Sequence, residues 1–334
     1  MKTLLAYSKS KDYLIHIDKN ITSLIKEHLD NTRKYFVFYD EKIDFKNIDK
    51  CLEDFNIIGK CPLKGGENSK TIKAYTKIID LLLDKKVSKK DCLIVVGGGT
   101  LTDLIGYVAS TYKRGVDYIN IPSTTLAMID ASVGGKNALN VQGIKNVIGT
   151  IYPPTSVLIG LDLLKTLPKR QLNNGLCEAI KMALLFDEEL FNVFKKSDYI
   201  KQIEDIITKC LEYKISIVKD DEFENGKRKW LNYGHTFGHA IEAVYKGRIL
   251  HGEAIIMGIQ IVDKSAFFID DLKKICAKLK IKFNIGDINI NNLIDYIKND
   301  KKGYSDCIDL IKIKKIGEPI IEQHQINKLI EEFS

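Results

Sequence analysis

The sequence predicts a two-domain α/β protein: a Rossmann-like parallel-sheet domain at residues 1–160 and an all-α domain at residues 161–334. Two patterns support this prediction. In the first half, short β-rich runs alternate with amphipathic helical stretches, which is typical of a parallel sheet with helices on both faces. Beyond Leu161, apolar residues recur at steps of three and four, which favours helices. The length of 334 residues suits two domains, or one large α/β unit with an appendage.

The elements of the first half are predicted in order from these runs. Helices are expected at residues 21–29 and 71–83, where apolar residues follow helical spacing. β-rich apolar runs predict strands at residues 13–17, 34–39, 92–96, 118–121 and 156–159.

Composition narrows the class of function. The chain has 51 Lys and Arg against 44 Asp and Glu, a net charge of +7 that fits an anionic small substrate, although a lysine-rich surface explains most of it. Basic blocks with interleaved aromatics are missing, so a nucleic-acid partner is not expected. The seven cysteines show no Cys-x-x-Cys spacing, which disfavours a thiolate zinc site. Without a signal-peptide core or a long apolar run, we expect a cytoplasmic protein and no membrane partner.

The segment at residues 230–253 holds three of the six histidines, His235, His239 and His251, beside several glycines. Imidazole is the commonest transition-metal ligand near neutral pH, so the segment indicates a metal site. Spacing alone favours His235 with His239, which lie four residues apart. The alternative is that these histidines are ordinary hydrogen-bonded residues, as we expect for the three isolated ones.

A glycine turn follows the predicted strand at residues 92–96. Gly98, Gly99 and Thr100 open a helix that contains Asp103, and such a helix N-terminus can receive a pyrophosphate. The alternative is a plain strand-to-helix turn, and the spacing is not Gly-x-Gly-x-x-Gly. Asp40, just after an early strand, is a candidate acceptor for ribose hydroxyls.

Two further motifs carry polar chemistry. Residues 121–136 combine hydroxyls, a carboxylate, glycines and a lysine, and Lys145 and Asn146 follow. This set suits a phosphorylated polyol, or else it is a polar loop over a sheet edge. Glu178 and Lys181 share a helix face, either as a carboxylate ligand beside a substrate cation or as a surface ion pair.

Together these motifs resemble the 3-dehydroquinate synthase family of the sugar-phosphate cyclases. The resemblance runs from about residue 95 to residue 253, with a weaker Asp-Lys-Lys match at residues 300–302. Its most specific part is the joint presence of residues 130–136, Glu-x-x-Lys, Gly-His-Thr-x-Gly-His-Ala and His-Gly-Glu.

The resemblance implies one zinc or cobalt ion held by Glu178, His235 and His251, which leaves His239 near the substrate phosphate. Three ligands with an open position suit catalysis. It also implies NAD, with cofactor-binding positions at Asp40, Glu67, Lys70, Gly98, Gly99, Thr100, Asp103, Ser123, Thr124, Lys136 and Lys145.

The implied substrate is 3-deoxy-D-arabino-heptulosonate 7-phosphate, which the family converts to 3-dehydroquinate and phosphate in the shikimate pathway. The steps are transient oxidation by NAD, phosphate elimination, reduction, ring opening and aldol closure. The matching substrate positions are Asp130, Lys136, Asn146, Lys181, Lys214, Arg228, Asn232, His239 and Lys302. Arg114 matches a residue that reaches a neighbouring subunit's site, which implies a homodimer.

The sequence departs from the family pattern in a few places, and it is somewhat short, chiefly in the last third of the helical domain. Cys177 and Ala179 flank Glu178 where the family usually has Ala and Val, and residues 263–285 match poorly.

Two other enzymatic functions share features with the one that the resemblance implies. A 2-deoxy-scyllo-inosose synthase type of cyclase takes glucose 6-phosphate, which lacks the carboxylate that Arg228 and Lys302 suit. A glycerol-type, metal-dependent polyol dehydrogenase would release NADH. A non-enzymatic metal-binding module would need none of these polar contacts.

Overall fold

The structure, a computed structural model, describes residues 1–196, 199–245, 248–281, 289–301 and 307–333, without the side chains of residues 299–301 and 330. It contains two compact units. The first unit comprises Met1–Pro168 and Ile207–Glu222, and the second comprises Lys169–Ile206 and Phe223–Ser334. The domain boundary predicted between residues 160 and 161 stays a prediction. That prediction places residues 207–222 in the C-terminal domain, whereas in the structure they belong to the first unit.

The first unit is built on a sheet with the strand order β1-β2-β9-β6-β5-β3-β4, parallel except for β1. A separate antiparallel hairpin pairs β7 with β8. The strands are β1 (Lys2–Ala6), β2 (Tyr13–Asp18), β3 (Lys34–Asp40), β4 (Asn56–Leu63), β5 (Cys92–Gly97), β6 (Asp117–Pro122), β7 (Lys136–Val141), β8 (Ile144–Ile151) and β9 (Ser156–Gly160). Every strand predicted for this half is confirmed, and β1, β4, β7 and β8 were missed.

Four helices of the first unit cover this sheet. They are α1 (Ile21–His28), α2 (Lys46–Leu52), α3 (Ile72–Asp84) and α4 (Gly99–Thr111). The helices predicted at residues 21–29 and 71–83 and the helix predicted to contain Asp103 are confirmed as α1, α3 and α4, whereas α2 was missed. Helices α1 and α3 each begin at a side chain that caps the first turn: Asn20 accepts from the Thr22 N–H, and Thr71 accepts from the Ala74 N–H. Apolar clusters lie on both sheet faces, so β5 is buried along its whole length.

The strand order reverses beside β3. The chain leaves β3 for β4 on one side and returns to β5 on the other, and β3 pairs with β5 in parallel. In open α/β sheets, ligands bind at the carboxyl ends of the strands where the order reverses. Asp40 ends β3 and Gly97 ends β5, so the two predicted cofactor segments start from this point.

The second unit is helical, as predicted, apart from one antiparallel hairpin, β10 (Cys307–Lys315) with β11 (Glu318–Gln325). The prediction of an all-α second part missed this hairpin. α7 (Ile203–Asp220) begins in the second unit and continues into the first. The other helices are α5 (Lys169–Phe186), α6 (Glu188–Lys195), α8 (His235–Val244), α9 (His251–Val262), α10 (Ile269–Lys278), α11 (Ile290–Lys301) and α12 (Leu329–Phe333). None of the helices in the described part of the chain is long and apolar enough to cross a membrane.

Candidate active site

Glycines bring α8 and α9 unusually close together. A β-carbon at Gly234 would lie 2.6 Å from the Ile255 carbonyl oxygen, and one at Gly258 would lie 2.0 Å from the Gly234 carbonyl oxygen. Gly234 also has a φ of +75°, which side chains rarely adopt. This close packing holds His235 and His251, the first residues of the two helices, near each other. Their ring centroids are 5.4 Å apart.

The His-Gly-Glu segment docks α9 onto α5. The Gly252 N–H donates to Asn174 Oδ1 at 2.7 Å, and a β-carbon at Gly252 would lie 2.0 Å from the Asn174 carbonyl oxygen. The buried Glu253 carboxylate accepts from the Leu250 N–H, so it caps the helix, and it also pairs with Arg170 at 2.8 Å. The three residues of the segment therefore differ in what they do, since His251 faces Glu178, Gly252 permits close contact and Glu253 caps the helix.

Glu178, His235 and His251 form a cluster whose ligand atoms all lie within 4.8 Å of one another. Glu178 Oε1 lies 3.9 Å from His235 Nε2 and 3.6 Å from His251 Nε2. Among the described residues, this buried oxygen has no hydrogen-bond partner. A buried carboxylate oxygen without a partner is costly, and a cation would satisfy it. The donor set therefore fits a zinc-type ion.

Lys181 pairs with the other oxygen of Glu178. Its ammonium lies 2.6 Å from Glu178 Oε2 and donates to the Leu231 carbonyl oxygen at 2.6 Å, and both charged side chains are only 2% exposed. Burial would raise the pKa of Glu178, but Lys181 and the two histidines hold it well below its ordinary value. Glu178 is therefore ionised at neutral pH, as a metal ligand must be. The surface ion pair that the sequence left open is excluded by this burial.

The two histidines differ in their electrostatic surroundings. Burial and the nearby Lys181 lower the pKa of His235 well below its ordinary value, which keeps it neutral. Burial would also lower the pKa of His251, but the carboxylates of Glu178 and Glu242 raise it to about 10. A metal ion bound at His251 Nε2 would replace the proton on that nitrogen.

The remaining predicted residues of the second unit that the structure describes lie in two places. His239 is exposed and groups with Glu242 and His251 in a second possible ligand set, so the structure offers His239 a place near the cluster. Arg228 is buried within the 3₁₀ turn at Lys227–Asn232, and Asn232, in the same turn, donates to Glu224. Lys302 lies outside the described residues.

The glycine turn of the first unit opens α4 without a side-chain cap in the described structure. The Leu101 and Thr102 N–H groups donate to the Gly98 carbonyl oxygen, and the Ser123 N–H donates to Gly97. Because the first amides of a helix have no partner within it, the α4 N-terminus can receive an anion. A β-carbon at Gly99 would lie 2.8 Å from Ala131 Cβ, so this turn requires glycine.

A polar network beside this turn centres on Lys70. Its buried ammonium lies 2.5 Å from both Asp103 Oδ2 and Asn146 Oδ1. Asn140 joins the network by donating to Glu67 Oε1 at 2.7 Å and accepting from the Asn146 N–H at 2.9 Å. Burial raises the pKa of Asp103 to about 6, although Lys70 opposes this rise. The structure therefore brings four predicted residues together.

The other predicted residues of the first unit surround this network or stand apart from it. Thr100 lies 3.5 Å from Glu67. The exposed Lys145 lines a cavity of about 450 Å³ that Glu67 and Asn140 also line. Asp40 accepts from the Lys42 N–H, which is an ordinary turn contact. Ser123 is buried, Thr124 caps a following helical turn, and the side chains of Lys136 and Arg114 are exposed.

Asp130 and Lys214 form a pair within the first unit. The Lys214 ammonium donates to the Asp130 carboxylate and to its carbonyl oxygen, each at 2.6 Å. Asp130 lies in a π-helical turn at Ala127–Ala131, and such turns are frequent at functional sites. The two residues are 84 positions apart, so their pairing was not foreseeable from spacing.

Two residues of these networks were missed by the sequence reasoning. Asn140 bridges Glu67 and Asn146, and Glu242 contacts His251 Nδ1 at 3.1 Å. A signal for Glu242 was present, because it lies seven residues, or two helical turns, after His235. Asn140 carried no comparable signal.

Comparison with solved structures identifies the fold. The chain superposes with a TM-score of 0.84 on a structure of 2-deoxy-scyllo-inosose synthase complexed with carbaglucose-6-phosphate, NAD+ and Co2+, at 24% identity over 99% of each chain. The chain therefore has the fold of the sugar phosphate cyclases.

Sequence comparison identifies the family. The family model for the 3-dehydroquinate synthase N-terminal region matches residues 60–174, and the model for the C-terminal region matches residues 175–303. The chain is 34% identical to the 3-dehydroquinate synthase of Clostridium botulinum, over 98% of this chain and 99% of that protein. It is 39% identical to the enzyme of Picrophilus torridus, over 77% and 78%. The chain belongs to the 3-dehydroquinate synthase family.

Proposed function

We propose that this protein converts 3-deoxy-D-arabino-heptulosonate 7-phosphate to 3-dehydroquinate and phosphate, as a carbon–oxygen lyase. The observation that carries the proposal is the convergence of Glu178, His235 and His251 around one buried carboxylate oxygen. Relatives named for this activity span almost the whole chain, which supports the same assignment.

Glu178, His235 and His251 would hold one zinc or cobalt ion in the second unit. When bound, the ion would act as a Lewis acid toward a substrate oxygen. Lys181 keeps Glu178 ionised, and the acceptors on the Nδ1 side of each histidine keep the rings in place. The Lys181 ammonium has three N–H groups, and two of them face Glu178 and the Leu231 carbonyl oxygen. We assign the third N–H group to a hydrogen bond with the substrate.

The first unit would hold NAD, which when bound supplies a hydride acceptor that is regenerated within the same cycle. The uncapped α4 N-terminus suits the pyrophosphate, and Asp40, at the point where the strand order reverses, suits the ribose. The Lys70 ammonium links Asp103 of α4 to Asn146 of β8 through two hydrogen bonds. The proposed cofactor residues are Asp40, Glu67, Lys70, Gly98, Gly99, Thr100, Asp103, Ser123, Thr124, Lys136 and Lys145.

The substrate carries a carboxylate and a phosphate, and the chain offers cations for both. Arg228 is buried, and its planar guanidinium suits bidentate binding of a carboxylate. Lys214 orients Asp130 through two hydrogen bonds. The proposed substrate residues are Asp130, Lys136, Asn146, Lys181, Lys214, Arg228, Asn232, His239 and Lys302.

A single assay tests this function. The purified protein with zinc, NAD and the heptulosonate phosphate should release phosphate with no net build-up of NADH absorbance. Stoichiometric NADH would instead identify a polyol dehydrogenase. Phosphate release from glucose 6-phosphate, but not from the heptulosonate, would identify the other type of cyclase. Glu178→Gln should abolish activity, whereas Glu189→Gln, at an exposed position on α6, should not.

We also propose a cytoplasmic homodimer in which Arg114 contributes to the partner's site. The exposed strand β8 supports an interface, because it carries Ile144 at 57% and Val147 at 53% exposure. Sedimentation should give the dimer mass. Mixing inactive Arg114→Ala and His251→Ala proteins should restore some activity, because one site per mixed dimer keeps both residues intact. A monomeric, fully active protein would contradict the proposal.

A further inference from the structure

His251 is held between two carboxylates of the second unit. Its Nε2 atom lies 3.6 Å from Glu178 Oε1, and its Nδ1 atom lies 3.1 Å from Glu242 Oε2. Glu242 lies on α8 with a side chain only 12% exposed. Each nitrogen of this ring therefore has one specific carboxylate facing it.

The second histidine of the cluster has the same arrangement. His235 Nδ1 lies 3.2 Å from the Tyr233 carbonyl oxygen, and its Nε2 atom faces Glu178 Oε1 at 3.9 Å. A carbonyl oxygen can only accept, so Nδ1 must carry the proton of a neutral ring. The Nε2 lone pair of His235 is then directed toward Glu178.

We propose that Glu242 is a positioning residue that fixes the tautomer and orientation of His251 for metal binding. It does for His251 what the Tyr233 carbonyl does for His235: it accepts a hydrogen bond from the Nδ1–H group and leaves the Nε2 lone pair for the ion. The inference rests on the proposed metal site and adds a residue that is not among the predicted site residues.

A competing role for Glu242 is that of a ligand, together with His239 and His251. Burial favours the positioning role. His239 is exposed, whereas Glu178 is almost fully buried and its Oε1 atom has no hydrogen-bond partner among the described residues. An ion beside Glu178 would satisfy this buried oxygen, whereas an ion bound by His239, Glu242 and His251 would leave the oxygen without a hydrogen bond.

The test compares Glu242→Ala, Glu242→Gln and the exposed control Glu189→Ala, each prepared free of metal. Zinc affinity is measured by competition with a chelator, without substrate. We expect Glu242→Ala to weaken zinc binding by about 10- to 100-fold, the usual effect of removing such a partner. Glu242→Gln keeps an acceptor oxygen and should retain most of the affinity, and the control should match wild type.

Cobalt absorption separates positioning from ligation. At saturating cobalt, Glu242→Ala should keep the ligand-field spectrum of the wild type, because the ligand set is unchanged. The result that would make Glu242 a ligand has two parts: the cobalt spectrum of Glu242→Ala changes, and zinc binding is lost in Glu242→Ala and His239→Ala but kept in Glu178→Ala. That result would overturn the inference. Unchanged zinc affinity in Glu242→Ala would overturn it while the metal site stands. Wild-type protein that binds no zinc would overturn both.

Discussion

Replacing Lys181 with methionine tests the electrostatics of the cluster. Methionine keeps most of the volume but removes the cation 2.6 Å from Glu178 Oε2, at a position that is 2% exposed. Removing one partner of a buried ion pair typically costs about 3–5 kcal/mol. Glu178 can limit this cost by taking a proton. The ordinary pKa of a glutamate in the unfolded chain is about 4.3, so pH 7 lies about 2.7 units above it. At about 1.36 kcal/mol per unit, protonating Glu178 at pH 7 costs about 3.7 kcal/mol.

Protonated His251 offsets part of the lost attraction, because its Nε2 atom lies 3.6 Å from the other carboxylate oxygen. We therefore expect Lys181→Met to lower the free energy of unfolding of the metal-free protein by about 2–4 kcal/mol at pH 7. The pKa of Glu178 is lowered in the folded state, so its contribution exists above the unfolded pKa and is lost as pH falls. The deficit should therefore shrink toward pH 4, and zinc should also reduce it.

Urea unfolding followed by fluorescence of Trp230, the single tryptophan, measures this change in the second unit. The matched control is Lys273→Met, which removes a lysine from an ion pair of the same i,i+3 spacing. That pair is exposed, with its atoms 3.7 Å apart, and should contribute only a few tenths of a kcal/mol. A Lys181→Met protein as stable as the control at pH 7 without metal would refute the reasoning.

Three other predictions concern separate residues. His251→Ala should lose zinc, measured by metal content, whereas His239→Ala should keep zinc and lose rate; a zinc-free His239→Ala protein would restore the His-x-x-x-His interpretation. The pKa of Asp103 is raised to about 6 in the folded protein, so its protonated form stabilises the fold at pH values below about 4. This contribution to the free energy of unfolding, roughly 2–3 kcal/mol, is lost as pH rises through 6. Asp103→Asn should therefore gain stability relative to wild type between pH 4 and 7, and parallel unfolding curves would contradict this. Gly252→Ala places a β-carbon 2.0 Å from the Asn174 carbonyl oxygen, so it should cost about 1–3 kcal/mol or more and weaken zinc binding. Thermal unfolding and zinc titration measure both effects, and wild-type values in both would show that α9 can shift freely.

The alternation of strands and helices in the first half was visible in the sequence because hydrophobic periodicity is local. β5 is one apolar run buried on both faces, and the glycines after it mark its end. The missed strands have weaker patterns: β4 is mostly half-buried or exposed, and β8 is exposed along most of its length. Such strands are stabilised by pairing with another strand, β3 for β4 and β7 for β8, and the apolar pattern of a single segment does not record this pairing.

The metal-binding chemistry could also be inferred from residue types, because histidines and acidic residues cluster in short motifs. The choice among the histidines could not be made from spacing, which favours His235 with His239. The family resemblance pointed to Glu178, His235 and His251, and the structure brings these three side chains to one point. The ligand atoms come from three helices, and each helix displays its side chains by its own periodicity alone.

Length, composition and periodicity were thus sufficient for the fold class, and the motifs were sufficient for the family. Only the packing of α5, α8 and α9 decided which side chains meet, that Lys181 is buried against Glu178, and that Glu242 faces His251. The physical reason is distance: a local pattern records how a segment hides its apolar face, whereas the approach of separate helices depends on glycines such as Gly252 and Gly258, whose neighbours lie far away in the chain.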